Sequence, residues 1–100
     1  MIIQVKGTIL SPLEMQKVLS TLKNGGILVY PTETAYGIGC NAYNAKAIKE
    51  IYEIKKRPKN QPLAVIVSSL AMAKQIGVLP SEALTLSKVF HPGPLTIAVP

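Results

Sequence analysis

Aspartate is absent from this chain, histidine occurs once, as His91, and cysteine once, as Cys40. Each scarcity closes off a class of chemistry. Carboxylate and imidazole ligands are too few to favour a protein-built metal site. The same shortage argues against a Ser-His-Asp triad and against a hydrolase built on paired carboxylates. One cysteine makes no internal disulfide, in keeping with a reducing compartment. No apolar run approaches the ~18 residues of a membrane span. The opening Met1-Ile2-Ile3-Gln4-Val5-Lys6 lacks a signal-peptide layout, so the chain reads as cytoplasmic. Internal repeats, low-complexity tracts and linkers are missing too.

What is present fits one small domain over residues 1–100 with a modest core. Apolar residues make up 48% of the chain, which argues against disorder. The formal charge is +6 and unevenly spread: Lys46, Lys49, Lys55, Lys56, Arg57 and Lys59 face only Glu50 and Glu53 in the same stretch. Lys46 and Lys49 read as a solvated helix face with glutamate partners. Lys55 to Lys59, crowded around Pro58, read as an anion site for a nucleotide, a nucleic acid backbone or an acidic partner.

Ile2 to Val5 reads as a short strand. Ser11-Pro12-Leu13-Glu14 has the form of a capping box, with proline at the first helical position. Leu13, Met15, Val18, Leu19 and Leu22 then supply a helical stripe, and Gly25-Gly26 a left-handed stop. Ile27 to Tyr30 reads as a buried strand ended by Pro31. Asn44 is an N-cap for a helix from Ala45 to about Lys56, with Ala47, Ile48, Ile51 and Tyr52 inward. Pro58 disfavours helical geometry at Arg57 and closes that helix. Ala64 to Val67 reads as a strand, followed by helices at about Ser69–Ile76 and Ser81–Val89. A rigid His91-Pro92-Gly93-Pro94 turn precedes a final strand from Leu95 to Val99. The order implies an α/β layer. A short apolar strand directly before Pro100 would be a bare sheet edge, so the expectation is an incomplete domain or one that packs on a second copy.

Three stretches carry chemistry. Pro31-Thr32-Glu33-Thr34 sits at the C-terminal end of a strand, where open α/β sheets usually bind ligands. The two hydroxyls either hold an amino-acid head group or simply fill strand positions before a turn. Gly37 and Gly39 let backbone approach a ligand or turn sharply, but G-x-G without a third glycine is no dinucleotide fingerprint. In Lys55-Lys56-Arg57-Pro58, Arg57 offers a planar fork for phosphate and Lys55 a flexible point charge. His91, beside a rigid turn, reads as structural.

Taken in order, Asn24-Gly25-Gly26, Tyr30 through Gly39, Lys55-Lys56-Arg57-Pro58, Asn60-Gln61-Pro62-Leu63 and Pro92-Gly93-Pro94-Leu95-Thr96 resemble the YrdC-like family of threonylcarbamoyl-AMP synthases. The resemblance implies a twisted open mixed α/β sheet with flanking helices around a positively charged cleft. It implies nucleotidyl transfer: L-threonine, bicarbonate and ATP, with Mg²⁺ carried on the nucleotide, give L-threonylcarbamoyl-AMP and pyrophosphate for tRNA modification through partner proteins. By the same resemblance Thr32 binds threonine, with Thr34 and Tyr36 beside it on the substrate side. Lys55 and Arg57 form the catalytic, ATP-contacting pair, and Thr96 lines the ATP side. The family's later S-x-N motif, the other half of the nucleotide site, lies outside this chain. Ala35 and His91 stand where valine and tryptophan are common, without obvious effect on the chemistry. Two other functions compete. One is an RNA- or tRNA-binding module without catalysis; the other is a carbamoyl-transfer domain of the hydrogenase-maturation type.

Overall fold

The computed structural model describes all residues from 1 to 100. The chain divides into two compact units, Met1–Gln61 and Pro62–Pro100.

The first unit contains α1 (Pro12–Lys23), β1 (Leu28–Pro31), β2 (Tyr36–Gly39) and α2 (Ala45–Lys55). Helix α1 begins where its sequence says it should. The Ser11 hydroxyl accepts from the Glu14 amide at 3.2 Å, and the Ser11 amide donates back to the Glu14 carboxylate at 2.8 Å. Two otherwise unpaired helix-end donors are satisfied in this way. At its other end the chain passes through Asn24 into Gly25, at φ +79°. A side chain here meets two penalties: the left-handed backbone, and the Asn44 amide, 2.9 Å from where a Cβ would sit. Asn44 is itself the N-cap of α2, its side-chain oxygen accepting from the Ala47 amide at 3.0 Å. The stop of α1 and the start of α2 therefore meet.

Helix α2 buries Ala47 and Ile51, one turn apart on the same face. β1 and β2 form an antiparallel pair in the register Leu28↔Gly39, Val29↔Ile38, Tyr30↔Gly37 and Pro31↔Tyr36, with α1 packed against β1.

The second unit holds α3 (Leu70–Ile76) and α4 (Ser81–Phe90). Ser69 caps α3 through its hydroxyl, which accepts from the Met72 amide at 3.1 Å. Helix α4 buries Ala83 and Ser87, again four positions apart.

Three expected strands do not form. Ile2 to Val5, Ala64 to Val67 and Leu95 to Val99 carry no strand structure, and the sheet consists of β1 and β2 alone. An apolar run sets what a segment would bury, but a strand exists only when a neighbour completes its ladder. These three runs have no such neighbour within the chain. The last of them instead ends beside α3, where the Val78 amide donates to the Pro100 carbonyl at 2.9 Å. Conversely β2 is a strand the pattern did not announce, because Gly37 and Gly39 remove the alternating side chains that mark one.

Candidate functional site

The four residues joining β1 to β2, Thr32 to Ala35, are organised by one hydroxyl. Thr32 Oγ1 donates to the Ala35 carbonyl, and accepts from the Ala35 amide at 3.2 Å and the Thr34 amide at 3.4 Å. The Thr32 amide also donates to the Ala35 carbonyl, at 3.0 Å. A hydroxyl has one proton and two lone pairs, so the turn already uses all that Thr32 offers. Thr34 Oγ1 stands 3.5 Å from Thr32 Oγ1 and is exposed. A ligand reaching this turn thus meets the Thr34 hydroxyl free of backbone bonds, and meets Thr32 only by exchanging a turn bond for its own. Tyr36, opposite Pro31 at the mouth of the hairpin, is 76% exposed. The structure therefore brings Thr32, Thr34 and Tyr36 together on one hairpin.

Gly37 and Gly39 have a different role from the one their spacing suggested. Neither lies at positive φ. Both sit under the ring of Tyr30, with which Gly37 is paired across the sheet. A Cβ on Gly37 would lie 2.9 Å from Tyr30 Cε2, and one on Gly39 would lie 3.1 Å from Tyr30 Cε1. The glycines leave room for an aromatic ring on their own sheet face rather than making a tight turn.

The basic cluster lies at the end of α2. Lys55 is the last helical residue, and Lys56 takes a left-handed conformation at φ 51°, ψ 39°. A non-glycine residue there is uncommon, and it turns the chain sharply. The Arg57 amide then donates to the Tyr52 carbonyl at 3.0 Å, and the Gln61 amide to the Pro58 carbonyl at 3.0 Å. Lys55, Lys56 and Lys59 are exposed and Arg57 is half-buried. The carbonyl end of α2 favours these cations, so local structure and anion binding ask for the same charges at the same place.

Thr96 belongs to the second unit and is exposed. Its loop is held by His91, which reaches Ser87 Oγ at 3.0 Å through Nδ1 and the Leu95 carbonyl at 2.7 Å through Nε2. A carbonyl only accepts, so Nε2 carries the proton and, in the neutral ring, Nδ1 accepts from the serine hydroxyl. His91 is thus a staple between α4 and the proline-glycine loop, as its place beside a rigid turn implied.

Nothing here resembles an activated nucleophile. Burial, and secondarily the charge of Glu50, push the Cys40 thiol up from its ordinary value, which keeps it protonated and unreactive at neutral pH. No three His, Cys, Asp or Glu side chains come together. What the arrangement offers is hydroxyls at a hairpin turn and a cluster of cations at a helix end.

Comparison with known proteins gives this chemistry a family. A model of the Sua5/YciO/YrdC proteins, described as telomere recombination, matches residues 20–100. The chain belongs to that family. Among curated relatives, the threonylcarbamoyl-AMP synthase of Bacillus subtilis is 39% identical over 88 residues, covering 87% of this chain and 25% of its own length. That of Pyrococcus abyssi is 42% identical over 83 residues, covering 79% of this chain and 24% of its own. That of Halorhodospira halophila is 33% identical over 90 residues, with shares of 89% and 47%. This chain spans about a quarter to just under a half of the length of these relatives. A crystal structure of P. abyssi Sua5 complexed with L-threonine superposes with TM-score 0.79 at 33% identity, covering 87% of this chain and 26% of that one. The YrdC-like α/β fold expected from the motifs is therefore the fold of this chain.

Proposed function

We propose that this chain forms the threonine and polyphosphate sites of an enzyme that makes L-threonylcarbamoyl-AMP for tRNA modification. The observation that carries the proposal is the match in fold to a relative complexed with L-threonine, in a family whose curated members are named threonylcarbamoyl-AMP synthases. The two exposed polar features described above are of the right chemistry for the two substrates.

In this reading the hairpin turn binds L-threonine through Thr34, Tyr36 and an exchange of bonds at Thr32. The threonine amine and bicarbonate form a carbamate with loss of water. A carbamate oxygen then attacks the α-phosphorus of ATP, the bond to the β-phosphate oxygen breaks, and pyrophosphate leaves with the electron pair. Lys55 and Arg57 offset the charge that accumulates on the phosphates. In this reading Mg²⁺ arrives with the substrate, carried on the phosphates of ATP. The reaction is cytoplasmic in this account, and its product passes to partner proteins acting on tRNA.

The test is pyrophosphate release by the product of the complete open reading frame. Release should need ATP, L-threonine and bicarbonate together. Lys55→Ala and Arg57→Ala should each lower it roughly 100-fold or more, the usual effect of removing a group that stabilises transition-state charge. Release independent of L-threonine, or equal in the two variants and the parent, would sink the proposal.

A further inference from the structure

Tyr52 holds the basic loop at both ends. Its carbonyl accepts from the Arg57 amide at 3.0 Å, just past the left-handed turn at Lys56. Its phenol hydroxyl donates to the Gln61 carbonyl at 2.7 Å, nine positions along the chain. The Gln61 amide in turn closes back onto Pro58. Residues Arg57 to Gln61 are thereby tied into a loop whose entry and exit are fixed by one residue of α2. Tyrosine suits the task, because a planar ring sets the reach and the hydroxyl supplies a donor. Phenylalanine would fill the same space without the bond.

The loop has a reason to need closing. Lys55, Lys56, Arg57 and Lys59 crowd four positive charges into five positions, and like charges so close repel. Left open, the segment would spread to relieve that repulsion, and an anion would have to gather it again at its own cost in ordering. The hydrogen bond to Gln61 lies at an exposed place, where it is not required to satisfy a buried group.

We infer that Tyr52 is a positioning residue for a polyphosphate: its hydroxyl keeps the Lys55–Gln61 segment in one shape, with Lys55 and Arg57 set for phosphate before the ligand arrives. The inference rests on reading Lys55 and Arg57 as phosphate contacts.

The experiment compares the complete protein with its Tyr52→Phe and Lys55→Ala variants. Calorimetry gives the affinities for ATP, pyrophosphate and L-threonine, and amide hydrogen exchange reports on residues 57 to 61. Tyr52→Phe should weaken ATP and pyrophosphate by roughly three- to tenfold, the net worth of one hydrogen bond. It should speed exchange in the loop and leave L-threonine affinity and the circular dichroism spectrum unchanged. In turnover the loss should fall on KM for ATP rather than on kcat. A 3-fluorotyrosine at position 52, with ring and hydroxyl kept, should restore parental affinity, and it stands as the deciding comparison if the phenylalanine variant folds poorly. Unchanged ATP affinity in Tyr52→Phe, alongside its loss in Lys55→Ala, overturns the positioning role alone. So does a parallel fall in L-threonine affinity, the mark of a merely structural bond. Absence of ATP and pyrophosphate binding in the parent overturns the phosphate reading and this inference with it.

Discussion

At the scale of single residues, the tightest constraint in the first unit is the space beneath Tyr30. Its ring lies over Gly37 and Gly39, and a methyl group on Gly37 would stand 2.9 Å from the ring. Tyr30 is paired with Gly37 itself across the sheet, so relief of that contact needs the ring to turn about its own side-chain bonds. Gly37→Ala should destabilise the fold by about 1–3 kcal/mol, the usual cost of overpacking, measured by urea unfolding. In a Tyr30→Ala background the same substitution should cost markedly less, because the clashing partner is gone. Equal costs in both backgrounds would show that the ring is not the constraint. Thr32 gives a related lesson. Its hydroxyl looked available in sequence, and the folded turn consumes its hydrogen-bonding capacity. The readable signal for a free hydroxyl was the turn geometry, which residue identity alone does not specify.

At the scale of elements, the helices were the most legible part of the chain, and for local reasons. Ser11-Pro12-Leu13-Glu14 formed the expected reciprocal cap, Asn44 capped α2, and Pro58 stood just beyond that helix's end. Capping needs only residues three apart, so no distant contact has to be known. Its contribution depends on pH in a definite direction. Hydrogen bonds from the Ser11 backbone and then its side chain hold the Glu14 carboxyl below its ordinary value. A depressed folded-state pKa means that this stabilisation is complete above the unfolded glutamate's value of about 4.3. It is then lost as pH falls through the lower folded value. Ser11→Ala should cost about 1 kcal/mol at neutral pH. Glu14→Ala should also be less stable than the parent there. That second gap should narrow on acidification below the window, because protonation removes the same bonds as the substitution. A gap that is constant or grows toward low pH would count against the cap as its source. The strands behaved oppositely. Ile27 to Tyr30 found a partner and became β1, one residue displaced. Ala64 to Val67 has the same apolar character and found none, since strand formation is decided by what lies alongside.

At the scale of the whole molecule, little apolar surface is removed from water. Ala47, Ile51 and Ala83 are the buried apolar residues, with Ser87 the one buried polar residue. Ile2 is 92% exposed, Ile66 77% and Val89 69%. Apolar exposure on this scale marks surfaces that associate with something. The 100-residue chain expressed by itself should therefore bind a hydrophobic dye such as ANS strongly and unfold over a broad, shallow urea range, because a low m-value accompanies little buried area. Weak dye binding with a steep transition would contradict this picture. The partition into Met1–Gln61 and Pro62–Pro100 places the hairpin hydroxyls and the basic loop in the first unit, and Thr96 with its His91 staple in the second.

The sequence by itself determined the four helices, the turn at Gly25 and the location of the charged loop. Each depends on residues within a few positions of one another. It also determined the family, through short motifs kept in order. Only the tertiary structure decided which apolar runs became strands and that Gly37 and Gly39 accommodate Tyr30. It alone showed that Tyr52, expected to face the core, spends its hydroxyl closing the loop from Arg57 to Gln61. These are consequences of pairing and of contacts across a turn, and they exist only once separate segments meet. The candidate phosphate site shows both levels at once: its charges are written in Lys55-Lys56-Arg57, while the loop that follows them is closed by a hydrogen bond reaching nine residues along the folded chain.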